Sequence, residues 1–195
     1  MGKVLICGRE MLVKNEVLSL AEYRRYWLDH AKRLKNPGFD DFSSKVLDLK
    51  EGKQSAIQWF VTQLDPIIGD DVAICAVPSS SVIKKHPGIV SVGERLAQSR
   101  SGRFDMTQFL VRIRDIPKLT ESEVRGMQMH FDSIVTDESM DVRGKRVLLI
   151  DDVTTTGNSM LACREILYKA GAKSVCMLAL GQAVYEEYEF SEMEA

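Results

Sequence analysis

One segment constrains this chain more than any other: Val147–Ser159, VLLIDDVTTTGNS. Four consecutive apolar residues, Val147 to Ile150, read as a strand covered on both faces, as in the interior of a parallel sheet. Such a strand delivers Asp151 and Asp152 together at its C-terminal end, where ligands gather in open α/β sheets. A loop of hydroxyls follows, Thr154-Thr155-Thr156, then Gly157, and the chain opens into a helix at Asn158 and Ser159. A helix N-terminus carries unpaired amides and partial positive charge, so it attracts phosphate. Thr and Ser hydroxyls add donors there, and a glycine lets the backbone come close to the anion. Paired carboxylates suit a sugar diol. Diol on one side and phosphate on the other describes a ribose 5-phosphate. Taken singly, the acidic pair only ends a strand and the threonines only cap a helix; in this order and spacing they define a site.

The rest of the chain alternates between apolar runs and amphipathic stretches. Lys3–Cys7 reads as a short buried strand, and Leu20–Leu34 as a helix, with Tyr23, Trp27, Ala31 and Leu34 at helical spacing. Asn36-Pro37-Gly38 stops it, and Lys45–Leu49 reads as a strand. Gln54–Leu64 is a second helix, Asp71–Pro78 a buried strand, Gly88–Arg100 a helix and Phe109–Ile113 a strand. A helical turn is expected near Glu121–Met129. Arg146–Asp151 is a strand, Asn158–Ala170 a helix capped by Gly171, and Lys173–Leu180 a final strand. This alternation argues for an α/β fold with a parallel sheet and right-handed crossovers.

With 195 residues, the chain suits one such domain with a small appended part. We expect residues 1–53 as an N-terminal hood-like segment, 54–184 as the core and 185–195 as an acidic tail. The formal charge of −2 gives no general reason to expect nucleic acid or a membrane surface as partner. Cys7, Cys75, Cys163 and Cys176 are scattered without a C-x-x-C pair, which points to buried thiols in a reducing compartment rather than to a zinc cluster. No apolar stretch approaches the length of a membrane span, so the expected location is cytoplasmic.

VLLIDDVTTTGNS resembles the 5-phosphoribosyl-1-pyrophosphate (PRPP) signature of type I phosphoribosyltransferases. The resemblance implies that fold: a central, mainly parallel sheet flanked by helices, with a small N-terminal hood-like subdomain. It implies ribose contacts from Asp151 and Asp152, and a 5-phosphate held by Thr154, Thr155, Thr156, Gly157, Asn158 and Ser159. Ser79, Ser80 and Ser81, at the end of AVPSSS, fall where the family holds pyrophosphate. Lys84-Lys85-His86 follow directly, and Arg103, Arg112, Arg114, Lys118 and Arg125 lie in the interval where the family carries a mobile loop. Thr155 stands where 6-oxopurine enzymes have an Asp, which disfavours hypoxanthine-guanine salvage. Within the family, Arg125 followed by Phe131, Gly144-Lys145 before the signature and Ala170–Ala172 after it are similar to competence-associated (ComF-like) members. Their four-cysteine zinc ribbon is missing here, and HPGIVS replaces their Arg-Gly-Phe-Asn segment.

The implied activity is transfer of the phosphoribosyl group of PRPP to a small nitrogenous acceptor with release of pyrophosphate. Mg²⁺ is the implied cofactor, bound to phosphate and ribose oxygens with no direct protein ligand. The hood, with Tyr23, Tyr26, Trp27, His30, Phe39 and Phe42, would choose the acceptor. A homodimer stays open. Two further readings are a PRPP- or nucleotide-sensing protein without transfer activity, and a ComF-like accessory protein of DNA uptake or processing.

Overall fold

Alternate residues of a strand face opposite sides of its sheet, so an apolar strand must be covered twice. The computed structural model, which describes residues 2–6, 9–83, 87–116 and 126–185, does this with two helical layers. The chain begins with strands β1 (Gly2–Ile6), β2 (Arg9–Lys14), β3 (Val17–Tyr23), β4 (Trp27–Asp29) and β5 (Leu34–Lys35). Helices α1 (Asp41–Lys50) and α2 (Gln54–Leu64) come next, then β6 (Val72–Ala76), α3 (Pro87–Gln98), β7 (Arg103–Asp105) and β8 (Leu110–Arg112). The last third holds α4 (Met127–Phe131), β9 (Ile134–Thr136), β10 (Arg146–Thr154), α5 (Asn158–Lys169) and β11 (Ser174–Ala183).

Seven strands form one sheet in the order β1-β2-β3-β11-β10-β6-β7. The five from β3 to β7 in that order run parallel, while β1 and β2 extend the β3 edge as an antiparallel meander. Strand β10 shows why the fold has two layers. Its Leu148 and Ile150 pack with Val46 and Leu49 of α1, Phe60 and Leu64 of α2, and Val92 and Leu96 of α3. Its Val147 and Leu149 face the other way, onto Met160, Cys163 and Leu167 of α5. Complete burial of one such side chain is worth about 1.5–3 kcal/mol, so β10 anchors both cores.

The expected helix over Leu20–Leu34 is not there. Its first residues are the end of β3, which pairs with β11 from Met177↔Val17 to Ala183↔Tyr23. The pairing begins at a two-residue turn, where Asn15 and Glu16 have φ of 50° and 64°. Two left-handed residues in succession make the hairpin turn that matches strand twist. Beyond β3, the short β4–β5 ribbon gathers aromatics edge to face: Tyr26 stands 4.8 Å from Trp27 and 5.0 Å from Phe39, and Trp27 5.8 Å from His30. Helical spacing of these residues was a coincidence that long-range strand pairing overrode.

Lys45–Leu49, read as a strand, lies inside α1. Asp40 caps that helix by accepting the Ser43 N–H at 2.8 Å, and Val46 and Leu49, three apart, fill the core. Phe109–Ile113 does contain strand β8, but it pairs with β9 in a separate antiparallel ribbon. The sheet edge is instead taken by β7, three residues that sequence patterning missed. The boundaries of α2 match the sequence reading, and Gly171 ends α5 in the left-handed region at φ +91°. The segment 117–125 and the tail 186–195 lie outside the described residues.

Candidate functional site

Parallel strands bring their C-terminal ends to one edge, and here that edge collects the acidic pair and the serine loop. The Val77 N–H donates to Ile150 O at 2.9 Å, so the exit of β6 lies beside the residue preceding Asp151. Period-two alternation then separates the two carboxylates. Asp152 turns toward α1, where Oδ1 is 3.4 Å from Lys50 Nζ. The same oxygen accepts the Val153 N–H at 2.6 Å, and Asp151 Oδ1 accepts the Asp152 N–H at 2.8 Å. Burial, and then the negative charge of Asp152, pushes the Asp151 carboxyl well above the usual carboxylate range. The Asp152 amide, Lys50 and Arg112 oppose that rise only in part.

Lys50 also stands over the Tyr23 ring, 5.7 Å from its centroid. Burial raises the Tyr23 hydroxyl pKa, the Lys50 charge works against this and the Asp152 charge with it. Gly181 makes the arrangement possible, since a Cβ there would stand 2.8 Å from Tyr23 Cβ. Tyr23, Lys50 and Asp152 therefore form one cluster on the α1 side of the edge.

The loop after Asp152 divides by exposure. Thr154 ends β10 and is buried, and among the described residues its Oγ1 has no hydrogen-bond partner, whereas Thr155 and Thr156 are exposed. Gly157 has φ +84° and begins α5, so the left-handed turn expected at a close backbone approach is present. The Asn158 N–H reaches Thr156 Oγ1 at 3.5 Å, and Asn158 and Ser159 lie half-buried in the first turn of α5. Two amides from elsewhere in the chain reach the loop's carbonyls. Gln182 Nε2, on β11, is 3.2 Å from Thr154 O and 3.1 Å from Thr155 O, and Asn15 Nδ2, at the β2–β3 turn, is 3.0 Å from Thr156 O.

Ser79, Ser80 and Ser81 follow β6 at the same edge. Ser79 Oγ accepts the Ser81 N–H at 3.2 Å, and Ser80 O accepts the Ile116 N–H at 2.8 Å. Arg112, from β8, is buried and donates to Ser79 O at 2.8 Å and to the Ser133 hydroxyl. Its guanidinium thus fixes the serine loop to the β8–β9 ribbon while adding positive charge near Asp151. Alongside lies a cavity of about 340 Å³, bounded by Ser79, Val90, Glu94, Thr107, Leu110 and Arg112.

The other basic candidates separate. Arg103 opens β7 at the opposite edge of the sheet, fully buried, donating to Asp65 at 2.6 Å, to Leu96 O at 3.1 Å and to Gly69 O at 3.2 Å. It is a structural staple, buried where the resemblance had placed it in the interval of a mobile loop. Arg114 donates to Asp132 O at 2.7 Å. Lys84, Lys85, His86, Lys118 and Arg125 lie outside the described residues. Cys75 and Cys163 are buried as expected, Cys176 is exposed, and Cys7 lies outside the described residues.

Sequence reasoning missed Lys50, Asn15 and Gln182. Gln182 did leave a signal, a carboxamide at the end of the apolar run Val175–Leu180. Lys50 and Asn15 left none, because only the tertiary fold brings them to the loop.

An acidic pair on a central strand, a left-handed glycine opening a helix and a serine loop one strand away thus meet at one sheet edge of an α/β protein. The model of the phosphoribosyl transferase domain matches residues 82–188, more than half of the chain, and the chain belongs to that family. A ribose-phosphate pyrophosphokinase of Pyrococcus furiosus is 44% identical over 45 residues, 23% of this chain and 16% of that protein, so the match spans a small part of its relative. Among solved structures, a hypoxanthine phosphoribosyltransferase from Staphylococcus aureus is 13% identical with a TM-score of 0.40, covering 74% of this chain and 76% of that one. A purine phosphoribosyltransferase from Pyrococcus horikoshii is 18% identical with a TM-score of 0.37, covering 77% and 95%.

Proposed function

We propose that this chain binds PRPP across the C-terminal edge of its sheet and transfers the phosphoribosyl group to a nitrogen acceptor, releasing pyrophosphate. The observation that carries this reading is the placement of Asp151 and Asp152 near the end of β10, one short loop before the left-handed Gly157 and the N-terminus of α5. In this reading the acidic pair takes the ribose 2- and 3-hydroxyls, and Thr154 through Ser159 surround the 5-phosphate. Ser79, Ser80 and Ser81 take the pyrophosphate. Lys50 offsets the charge of Asp152, which allows two neighbouring carboxylates to share one site.

The reaction breaks the bond from C1 to the pyrophosphate oxygen, which leaves with both electrons, and a nitrogen lone pair forms the new bond at C1. Its transition state has oxocarbenium character, so positioning and charge stabilisation matter more than a strong acid or base. Asp151 and Asp152 stand where they would reach Mg²⁺ through water or the ribose rather than by a direct bond, as suits an ion that gives up its waters reluctantly. When bound, it would neutralise pyrophosphate charge. Thr155, in place of an acidic residue, supports an acceptor other than a 6-oxopurine. Among the described residues no helix is long and apolar enough to cross a membrane, and the buried free thiols support a reducing, cytoplasmic setting.

Calorimetry with PRPP and Mg²⁺ tests binding, and absence of heat at millimolar ligand would refute the reading. Pyrophosphate release across adenine, hypoxanthine, orotate and ammonia tests transfer. Binding without release across that panel would favour a PRPP sensor.

A further inference from the structure

The two braces on the loop carbonyls have a geometric consequence. In a trans peptide the C=O and the following N–H point in opposite directions. Gln182 Nε2 draws the carbonyls of Thr154 and Thr155 toward β11, and Asn15 Nδ2 draws that of Thr156 toward the β2–β3 turn. The N–H groups of Thr155, Thr156 and Gly157 therefore point the opposite way within their peptide planes, away from Gln182 and Asn15. Among the described residues no hydrogen bond takes any of these three amides. Successive amides facing one way form an anion-binding concavity, here continuous with the N-terminus of α5.

The hairpin tip is held in place for this task. Asn15 and Glu16 both occupy left-handed conformations, Glu16 Oε2 accepts from Arg164 of α5 at 2.8 Å, and Val17 Cγ2 would stand 3.5 Å from a Cβ on Gly157. Gln182 is buried to 2% exposure on the neighbouring strand, and among the described residues its side-chain amide donates to the carbonyls of Thr154, Thr155 and its neighbour Ala183.

We propose that Asn15 and Gln182 are positioning residues for the anion site: they hold the loop carbonyls away so that the amides of Thr155, Thr156 and Gly157 face a phosphomonoester. The β2–β3 tip is then part of the phosphate site. This rests on the PRPP reading above, because that reading supplies the phosphate.

The test measures binding of ribose 5-phosphate and, separately, of pyrophosphate with Mg²⁺, by calorimetry on the whole chain and its variants. Asn15→Gly keeps the left-handed turn and deletes the amide, and Gln182→Met keeps the bulk and deletes the donor. Loss of one neutral hydrogen bond predicts ribose 5-phosphate binding weaker by roughly fivefold in Asn15→Gly, and by more in Gln182→Met, where two loop carbonyls lose this donor. Pyrophosphate affinity, which depends on the serine loop, should not change. Equal affinity for ribose 5-phosphate in wild type and both variants would overturn the inference while leaving the PRPP reading intact. Parallel losses for both ligands would also overturn it, since they mark a general structural defect. A wild-type chain that binds neither ligand would refute the PRPP reading itself, and this inference with it.

Discussion

Lys50 in the last turn of α1 holds its ammonium 3.4 Å from the carboxylate of Asp152 at the end of β10, and so joins a surface helix to the central strand at the candidate ribose site. A sugar hydroxyl donating to Asp152 would meet a carboxylate already oriented by Lys50 and by the Val153 amide. Replacing Asp152 by Asn removes the charge and keeps the shape. We expect PRPP affinity to fall by about 10- to 100-fold, the cost of one or two hydrogen bonds to a charged acceptor. The melting temperature should change little. Calorimetry and a thermal melt check both, and unaltered affinity would remove Asp152 from the ribose role.

Gly157 should tolerate no side chain. At φ +84° an Ala costs about 1–2 kcal/mol for the left-handed backbone alone, although a Cβ there would find only ordinary contacts, the nearest at 3.5 Å. Gly157→Ala is expected to lower stability by that amount in urea titration. It should also weaken PRPP binding, because relief of the strain shifts the loop amides.

Arg103 gives the contrasting case, at the edge of the sheet away from the acidic pair. Arg103→Leu removes one donor from Asp65, which keeps Ser99 and Arg100, and one from each of the carbonyls of Ile68, Gly69 and Leu96. Asp65 is partly exposed, which discounts the usual 3–5 kcal/mol of a broken buried pair to about 2–3 kcal/mol. The urea midpoint should fall accordingly, while PRPP affinity measured on the folded fraction stays at the wild-type value. A selective loss of affinity would return Arg103 to the active site.

The acidic groups give stability two opposite slopes with pH. The Asp151 carboxyl is raised above its ordinary 3.8 by burial and by Asp152, so the folded state keeps a proton that the unfolded chain has released. Its contribution is present in acid and declines as pH rises from that ordinary value through the raised one. Asp65 behaves in the reverse sense. The Ser99 hydroxyl, then Arg103 and Arg100, hold its carboxyl below 3.8, so its contribution is present above that value and lost as pH falls through the lowered one. Denaturant midpoints of the ligand-free protein between about pH 4 and 8 should decline more steeply in wild type than in Asp151→Asn. Parallel curves would show that Asp151 ionises normally.

The sequence made β10 and its loop legible because every constraint there is local: an apolar run, two acids and a glycine followed by a helix. The helices α2 and α5 were legible for the same reason, from the spacing of Ile57, Phe60, Val61 and Leu64 and from Gly171. The segment from Leu20 to Leu49 was not, since its first part depends on strand partners 160 positions away, as in Ala183↔Tyr23. Val17–Tyr23 becomes a strand because β11 offers it an edge, whatever its own periodicity. Arg103 and Arg112 show the same limit at the site. Both are arginines beside short strands, yet one staples the far edge and the other ties the serine loop to its ribbon.

The bracing of one loop by Asn15 from β3's side and Gln182 on β11 bears on the order of events during synthesis. A ribosome makes Asn15 early and Gln182 late, and until β11 inserts between β3 and β10 the N-terminal meander has no place in the parallel sheet. Contacts that far apart in sequence close late in folding. A nascent chain carrying the whole VLLIDDVTTTGNS signature but not yet β11 would hold the residues proposed to face phosphate without the frame that aims them. On the proposed reading, ligand competence would wait for the synthesis of β11.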